Sequence, residues 1–439
     1  MAVPALASVQ NVKVSGDITS TSILRYDFGF GNKDAGGITQ AKKQNTFISQ
    51  TRVSAEADLT DNVSTMFRLL NERAWGRIAS TDTQVDVDLA YVELREMIYS
   101  PLTVTLGRQE LYYGNGFIMG GGPNNTASGN IDIIAKDLTL SAAVDAVKLV
   151  FNYDPLTIDM FAAILDAPST GFVEKYDSFN LYGINANYKF SDPWNTAAEA
   201  YFFATIDRTN ISTLPSKKVD KIYVPGVRLS TDPMRGLNLQ GELACQGGTD
   251  EWTSGSAKRA AMGGQFIASY ILPFEKTAKY EPVVAYAYTY VSGDKDVDMA
   301  TDNPGDRQKA WDPMFEDMAG GKIYNAIFDL TNMHVNEFSF SASPAKDLIA
   351  KLTWTILSLD KKLNSTSWTR TLPDNSSVDY AVNTDKKGLG NEIDLDLIYA
   401  YSEDVELALS AGWFMPGNVF TSANEKTATQ LLTSISVAF

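Results

Sequence analysis

Cysteine and histidine are almost missing from this chain: Cys245 and His334 are the sole examples among 439 residues. One thiol cannot close an internal disulfide, and one imidazole cannot build a His-rich zinc centre. Basic residues are in deficit too, 37 against 53 acidic ones, for a formal net charge of −16. That balance argues against a nucleic-acid partner. No stretch approaches the roughly 18 uninterrupted apolar residues of a transmembrane helix. Mean hydropathy is −0.15, a value that still leaves a membrane β-barrel open, because only alternate residues of its strands face lipid.

The chain has aromatic residues and strict alternation in quantity. Its last ten residues read QLLTSISVAF. In a strand, Leu431, Thr433, Ile435, Val437 and Phe439 share one face, while Leu432, Ser434, Ser436 and Ala438 share the other. The same construction appears in FISQTRVSAEADL, VSTMFRLLNE, LNLQGELACQ and NEIDLDLIYAY. Between such segments lie turn clusters: LTDN at 59–62, YSPL at 99–102, YDPL at 153–156, SDPW at 191–194 and TDPM at 231–234. A looser cluster follows at 273–279, then SPAK at 343–346 and SED at 402–404. Several neighbouring turns are roughly 40 residues apart, a spacing that marks a repeated unit. Eight tight turns alternate with nine longer connections, the longest at 114–143, 292–331 and 361–391, which makes about 18 strands.

Two strands per unit do not suit a propeller, and a sandwich of this size would leave edges to protect. One closed antiparallel up-and-down sheet removes every edge, as lipid requires. The expected fold is a single all-β transmembrane barrel over 11–439 in the outer membrane of a diderm bacterium. Short turns face the periplasm with both termini, and long loops face outward. Residues 1–10 read as a tail in which Ala5-Leu6-Ala7 is patterned like the end of an export signal; no charged or full apolar region precedes it, so the readings are a signal remnant or an ordinary start. Phe439 ends the closing strand at an interfacial aromatic girdle, for which Tyr188, Phe190, Trp354, Tyr399 and Trp413 are further candidates.

Several stretches resemble the alginate export family of outer-membrane barrels. LGRQELYYGNGFIMG (106–120) followed by VDAVKLVF (144–151) is similar to its early signature, and YTYVSGDKD with AWDPMF (288–315) to its S-G-D loop. FSFSASPAKDLIAKLTW resembles its late K-P-turn hairpin, and GNEIDLDLIYAYSEDVELALSAGWFMPGNVF its final hairpin. The resemblance implies passive export of an anionic polysaccharide through an 18-stranded barrel with a basic lumen. It carries over to Arg108, Asp145, Lys148, Glu392 and Asp394, which stand in the matched motifs. Separately, the terminal aromatic Phe439 resembles the signal with which bacterial barrels commonly end, and so the outer-membrane assembly machinery is an expected partner.

A barrel of this size holds an aqueous channel unless loops fill it, and inward charges then set its selectivity. Alternation assigns Arg52, Arg68, Arg95, Arg108, Lys148 and Arg228 to the lumen. Acidic counterparts are Glu56, Glu72, Glu93, Asp159, Glu199 and Glu242, with a late row of Glu392, Asp394, Asp396 and Glu406. Closure brings the first and last strands together, so a basic and an acidic sector are expected to set up a transverse field, or else to pair and brace the wall. Asp294, Asp296 and Asp298 form an oxygen-rich loop with weak calcium character. The chain reads as a monomeric, cofactor-free channel in membrane lipid for polar or anionic solutes such as polysaccharide, and not as an enzyme. Two rivals are a non-conducting scaffold or adhesin acting through its loops and an outer-membrane hydrolase, which would have to use His334 or a carboxylate pair.

Overall fold

The computed structural model describes residues 11–31, 43–76, 85–121, 135–166, 179–208, 219–252, 255–273, 278–295, 307–318 and 322–439. The tail at 1–10 and the loop residues Asp296 and Asp298 lie outside them.

The strands in chain order are β1 (Asn11–Tyr26), β2 (Lys43–Thr60), β3 (Val63–Ala74), β4 (Asp86–Leu94), β5 (Leu102–Gln109), β6 (Val144–Asn152) and β7 (Leu156–Asp166). They continue as β8 (Phe179–Lys189), β9 (Ala197–Asp207), β10 (Asp220–Met234), β11 (Leu237–Trp252), β12 (Gly255–Ile271), β13 (Val283–Val291) and β14 (Arg307–Gln308). The last are β15 (Met333–Ala345), β16 (Leu348–Leu359), β17 (Ser367–Thr371), β18 (Ser377–Ala381), β19 (Gly388–Ala400), β20 (Val405–Pro416) and β21 (Ala428–Ala438). A short helix, α1 (Ile323–Ile327), precedes β15.

Eighteen of these strands close into one antiparallel barrel. The two-residue β14 runs parallel beside β12, and β17 with β18 forms a separate hairpin. Closure is made by β21 against β1, from Asp17 opposite Ala438 to Tyr26 opposite Thr429. Backbone bonds continue the seam, from the Gly16 N–H to the Phe439 carbonyl at 2.8 Å and from the Phe439 N–H to the Gly16 carbonyl at 2.9 Å.

Alternation sorts the two faces. Leu243 (67% exposed), Leu106 (56%) and Val227 (55%) stand outward, where lipid covers apolar side chains and each of the 18 barrel strands is paired on both sides. The girdle candidates Tyr188, Phe190, Trp354, Tyr399, Trp413 and Phe439 are all exposed on this side.

Two of the turn signals fall inside strands. Asp232-Pro233 and Ser343-Pro344 sit at irregularities in register, between Thr231 and Met234 and between Ala342 and Ala345. Proline is tolerated at such bulges because no ladder donor is needed there. The chain reverses just beyond, where Gly236 (φ +81°) and Asp347 (φ +61°) take the left-handed conformation, which glycine adopts without steric cost.

The apolar core lies inside the barrel, in the half nearer the long loops. Phe30 stacks on Phe414 with centroids 5.3 Å apart, and Phe117 stacks on Trp311 at 5.5 Å. These rings and Tyr324, Phe328, Tyr380 and Phe420 belong to one cluster built largely from connecting segments that fold inward.

Candidate functional site

The lumenal wall nearer the short turns carries the polar side chains, and its charges come as local pairs. Arg52 meets Asp17 on the adjacent strand at 2.9 Å. Arg68 meets Asp88 at 2.5 Å and also Glu110. Lys148 lies 3.3 Å from Asp159 and over the Tyr113 ring. Arg95 sits in the turn after β4, 2.8 Å from Glu93. Arg228 on β10 is bonded to Glu199 on β9 and lies 4.0 Å from Glu242 on β11. Tyr201 donates to Glu242 at 2.7 Å. Glu56 faces Lys13 across the β1–β2 ladder, and Asp396 faces Lys351 across β16–β19. Neighbouring partners thus take the place of opposed basic and acidic sectors, and they neutralise one another at short range. Such pairs weaken a transverse field because each charge is offset by its own neighbour.

Arg108 corrects the lumenal assignment. It shares a face of β5 with exposed Leu106 and lies opposite Asp145 of β6, which itself shares a face with exposed Val147. Its partner is Asp145 at 3.7 Å, so both belong to the outward side. A long side chain near the end of a strand reaches the polar boundary while its stem stays among apolar neighbours.

Glu72 and Glu392 face inward yet stand beneath folded segments rather than in open water. Glu72 accepts from Gln50 and Thr139 at 2.7 Å each and from the Leu140 N–H at 2.8 Å, fastening the 135–143 segment to the wall. Glu392 is fully buried and accepts the Ile323 and Tyr324 N–H groups, both at 2.7 Å. Asp394, also buried, faces Gly412 across the ladder. Glu406 lies on the lumenal face of β20 near the short-turn rim, opposite Ser436.

Counting turns does not find the inward segments. Their signal is apolar and aromatic content inside connections, as in LYYGNGFIMG, AWDPMF and IYNAIFDL. Just after the second of these, desolvation pushes the Asp317 carboxyl above the usual carboxylate range.

Asp294 accepts the N–H groups of Lys295 and Lys309, both at 2.6 Å, and among the described residues no group of potential ligands is placed to hold a metal ion. His334 lies on the outward-facing side of β15, in hydrogen-bond contact with Tyr288 at 2.8 Å.

The family model for alginate export matches residues 21–434. Among solved structures, OccK11 (OpdR) of Pseudomonas aeruginosa is similar with a TM-score of 0.58 and 9% identity, over 98% of this chain and 96% of that one. OccK2 (OpdF) of Pseudomonas aeruginosa, solved in complex with glucuronate, has a TM-score of 0.57 at 11% identity, over 98% and 99%. OpdK of Pseudomonas aeruginosa, solved with vanillate, has a TM-score of 0.55 at 11% identity, over 97% and 99%. No curated protein sequence matches the chain. At such low identity the structural likenesses speak for the fold.

Proposed function

Since the chain belongs to the alginate export family, we propose that this outer-membrane β-barrel is a passive channel for small polar solutes. The observation that carries the reading is the closed sheet with an apolar exterior and a charged, amide-bearing wall in the lumen near the short turns. The short-turn rim and both termini face the periplasm in this reading, Phe439 serves as the assembly signal, and the barrel works as a monomer. The glucuronate and vanillate in the structural relatives support a small-solute size class.

A strongly basic path for a polyanion is not what the wall offers. Of the late carboxylates, Glu392 and Asp394 are buried, while Asp396 and Glu406 line the wall toward the short-turn rim, with Lys351 opposite Asp396 and Ser436 opposite Glu406. Weak cation preference is the expected result when reversal potentials are measured across a planar bilayer under a KCl gradient. Lys148→Ala should shift the reversal potential further toward cations by leaving Asp159 without its lysine partner. Arg108→Ala, altering an outward side chain, should leave it within a few millivolts of wild type. An anion-selective pore, or a larger effect from Arg108 than from Lys148, would overturn this assignment.

The inward apolar cluster favours a second reading, a non-conducting surface scaffold. Bilayers loaded with folded protein yet showing no current would support it over the channel.

A further inference from the structure

We propose that the amide-rich lumenal wall of β10–β12 is a binding track for uncharged, hydroxyl-rich solutes such as small sugars. This rests on the channel reading and names the solute class for that wall. The track begins at the short-turn rim, where Asn195 donates to Asp232 at 3.1 Å and Asn238 donates to the other Asp232 oxygen at 2.7 Å. Gln240 then donates to the Asn238 carbonyl oxygen at 2.7 Å. The Gln240 carbonyl oxygen in turn accepts from Asn115 at 2.7 Å and from Arg228 at 2.8 Å. Asn115 belongs to the inward segment, so the chain of bonds runs from the open mouth to the narrowed part of the lumen.

Amides suit this role because one group both donates and accepts, as a hydroxyl does. Asn238 and Gln240 are half-buried, accessible from the lumen, and each has bonding capacity beyond the contacts named above. A second observation points the same way. Asn185 Oδ1, on nearby β8, is buried without a hydrogen-bond partner in a residue only 6% exposed, while Arg228 Nε and Glu242 Oε2 face each other at 4.0 Å, an ion pair beyond hydrogen-bond reach. A buried acceptor of this kind is met by ordered water within the wall, and that water links it to solute hydroxyls held on the half-buried amides. Successive rungs on one strand face are about 7 Å apart, which allows one solute to bridge two of them.

Fixed charge selects against anions here. Arg228 already lies between Glu199 and Glu242, and Asp232 stands below with amide partners. A carboxylate-bearing sugar would meet net negative charge, whereas a neutral one meets donors and acceptors alone.

The test is ion-current block in a planar bilayer, with maltose and glucuronate as probes. Maltose is expected to reduce the current in a saturable way, with a half-blocking concentration at least five-fold below that of glucuronate. The double variant Asn238→Ala/Gln240→Ala, its folding checked by heat-modifiable mobility, should raise the maltose value at least five-fold. Equal maltose block in the variant, stronger block by glucuronate, or conductance without block would each overturn the track. If no current flows at all, the channel reading fails separately. Calorimetric titration of maltose into the detergent-solubilised barrel then decides the track: heat present in wild type and lost in the double variant supports it, and no heat in wild type overturns it.

Discussion

Replacing Glu392 with alanine is expected to raise single-channel conductance at least two-fold. Both carboxylate oxygens hold backbone N–H groups at the start of α1, each at 2.7 Å. A buried hydrogen bond contributes about 0.5–1.5 kcal/mol net, and leaving its donor unsatisfied costs about 1–3 kcal/mol; a helix of five residues has little stability of its own. Losing both bonds leaves two buried donors at the start of α1 without their acceptor. The remaining hold is apolar, through Tyr324, Ile327 and Phe328 in the lumenal cluster, together with the Lys322–Glu337 contact at 2.5 Å and the Arg370 guanidinium, which donates to the Ile327 carbonyl at 3.3 Å. Such a segment should leave the lumen part of the time, so the larger conductance should appear as additional open events. Glu392→Gln retains one acceptor and should fall between the two. Wild-type conductance and gating in the alanine variant, with the barrel folded, would show that α1 is held by packing alone.

The second large effect concerns closure. A Cβ on Gly16 would lie 2.6 Å from the Arg52 carbonyl oxygen and 2.7 Å from Cζ of Phe439. The Arg52 backbone on β2 cannot yield as a flexible side chain can, so Gly16→Leu must push β1 away from β2 as well as displace the terminal ring at the seam. Most of the chain is expected to lose the heat-modifiable mobility of a folded barrel on denaturing gels. Deleting Phe439 removes both backbone bonds to Gly16 and should reduce the folded fraction several-fold, with a smaller effect than Gly16→Leu. Folding at wild-type yield in the leucine variant would mean that the close packing around Gly16 is dispensable. The deletion also separates folding from targeting: refolding in detergent isolates the seam, while assembly in cells adds any role of the terminal residue as a signal.

The barrel is largely legible in the sequence because lipid imposes a strict rule on every second residue. The face of Leu431, Thr433, Ile435, Val437 and Phe439 follows from alternation alone, and pairing with β1 places it outward. Turns are legible where Asp, Asn and Pro cluster, although at Pro233 and Pro344 the same residues mark bulges a few positions before the reversal. Charge type misleads at Arg108. The alternation of LTVTLGRQ itself groups Arg108 with Leu106, while Thr105 and Gln109 take the other face. Pairing across strands is only half legible, because Arg52–Asp17 and Lys148–Asp159 depend on register between strands that turn counting does not supply. The inward segments are hidden for a different reason. Residues such as Phe30, Trp311 and Phe328 are distant in sequence and meet only after the wall has formed around them.

The central claim is a water-filled barrel narrowed by its own inward-folded connections, and single-channel recording of the refolded wild-type protein tests it most directly. Discrete, reproducible openings are expected, with a conductance well below that of an unobstructed pore of 18 strands and growing when Glu392 is replaced by alanine. A conductance equal to that of an unobstructed barrel, or folded protein that never conducts in either form, would contradict it.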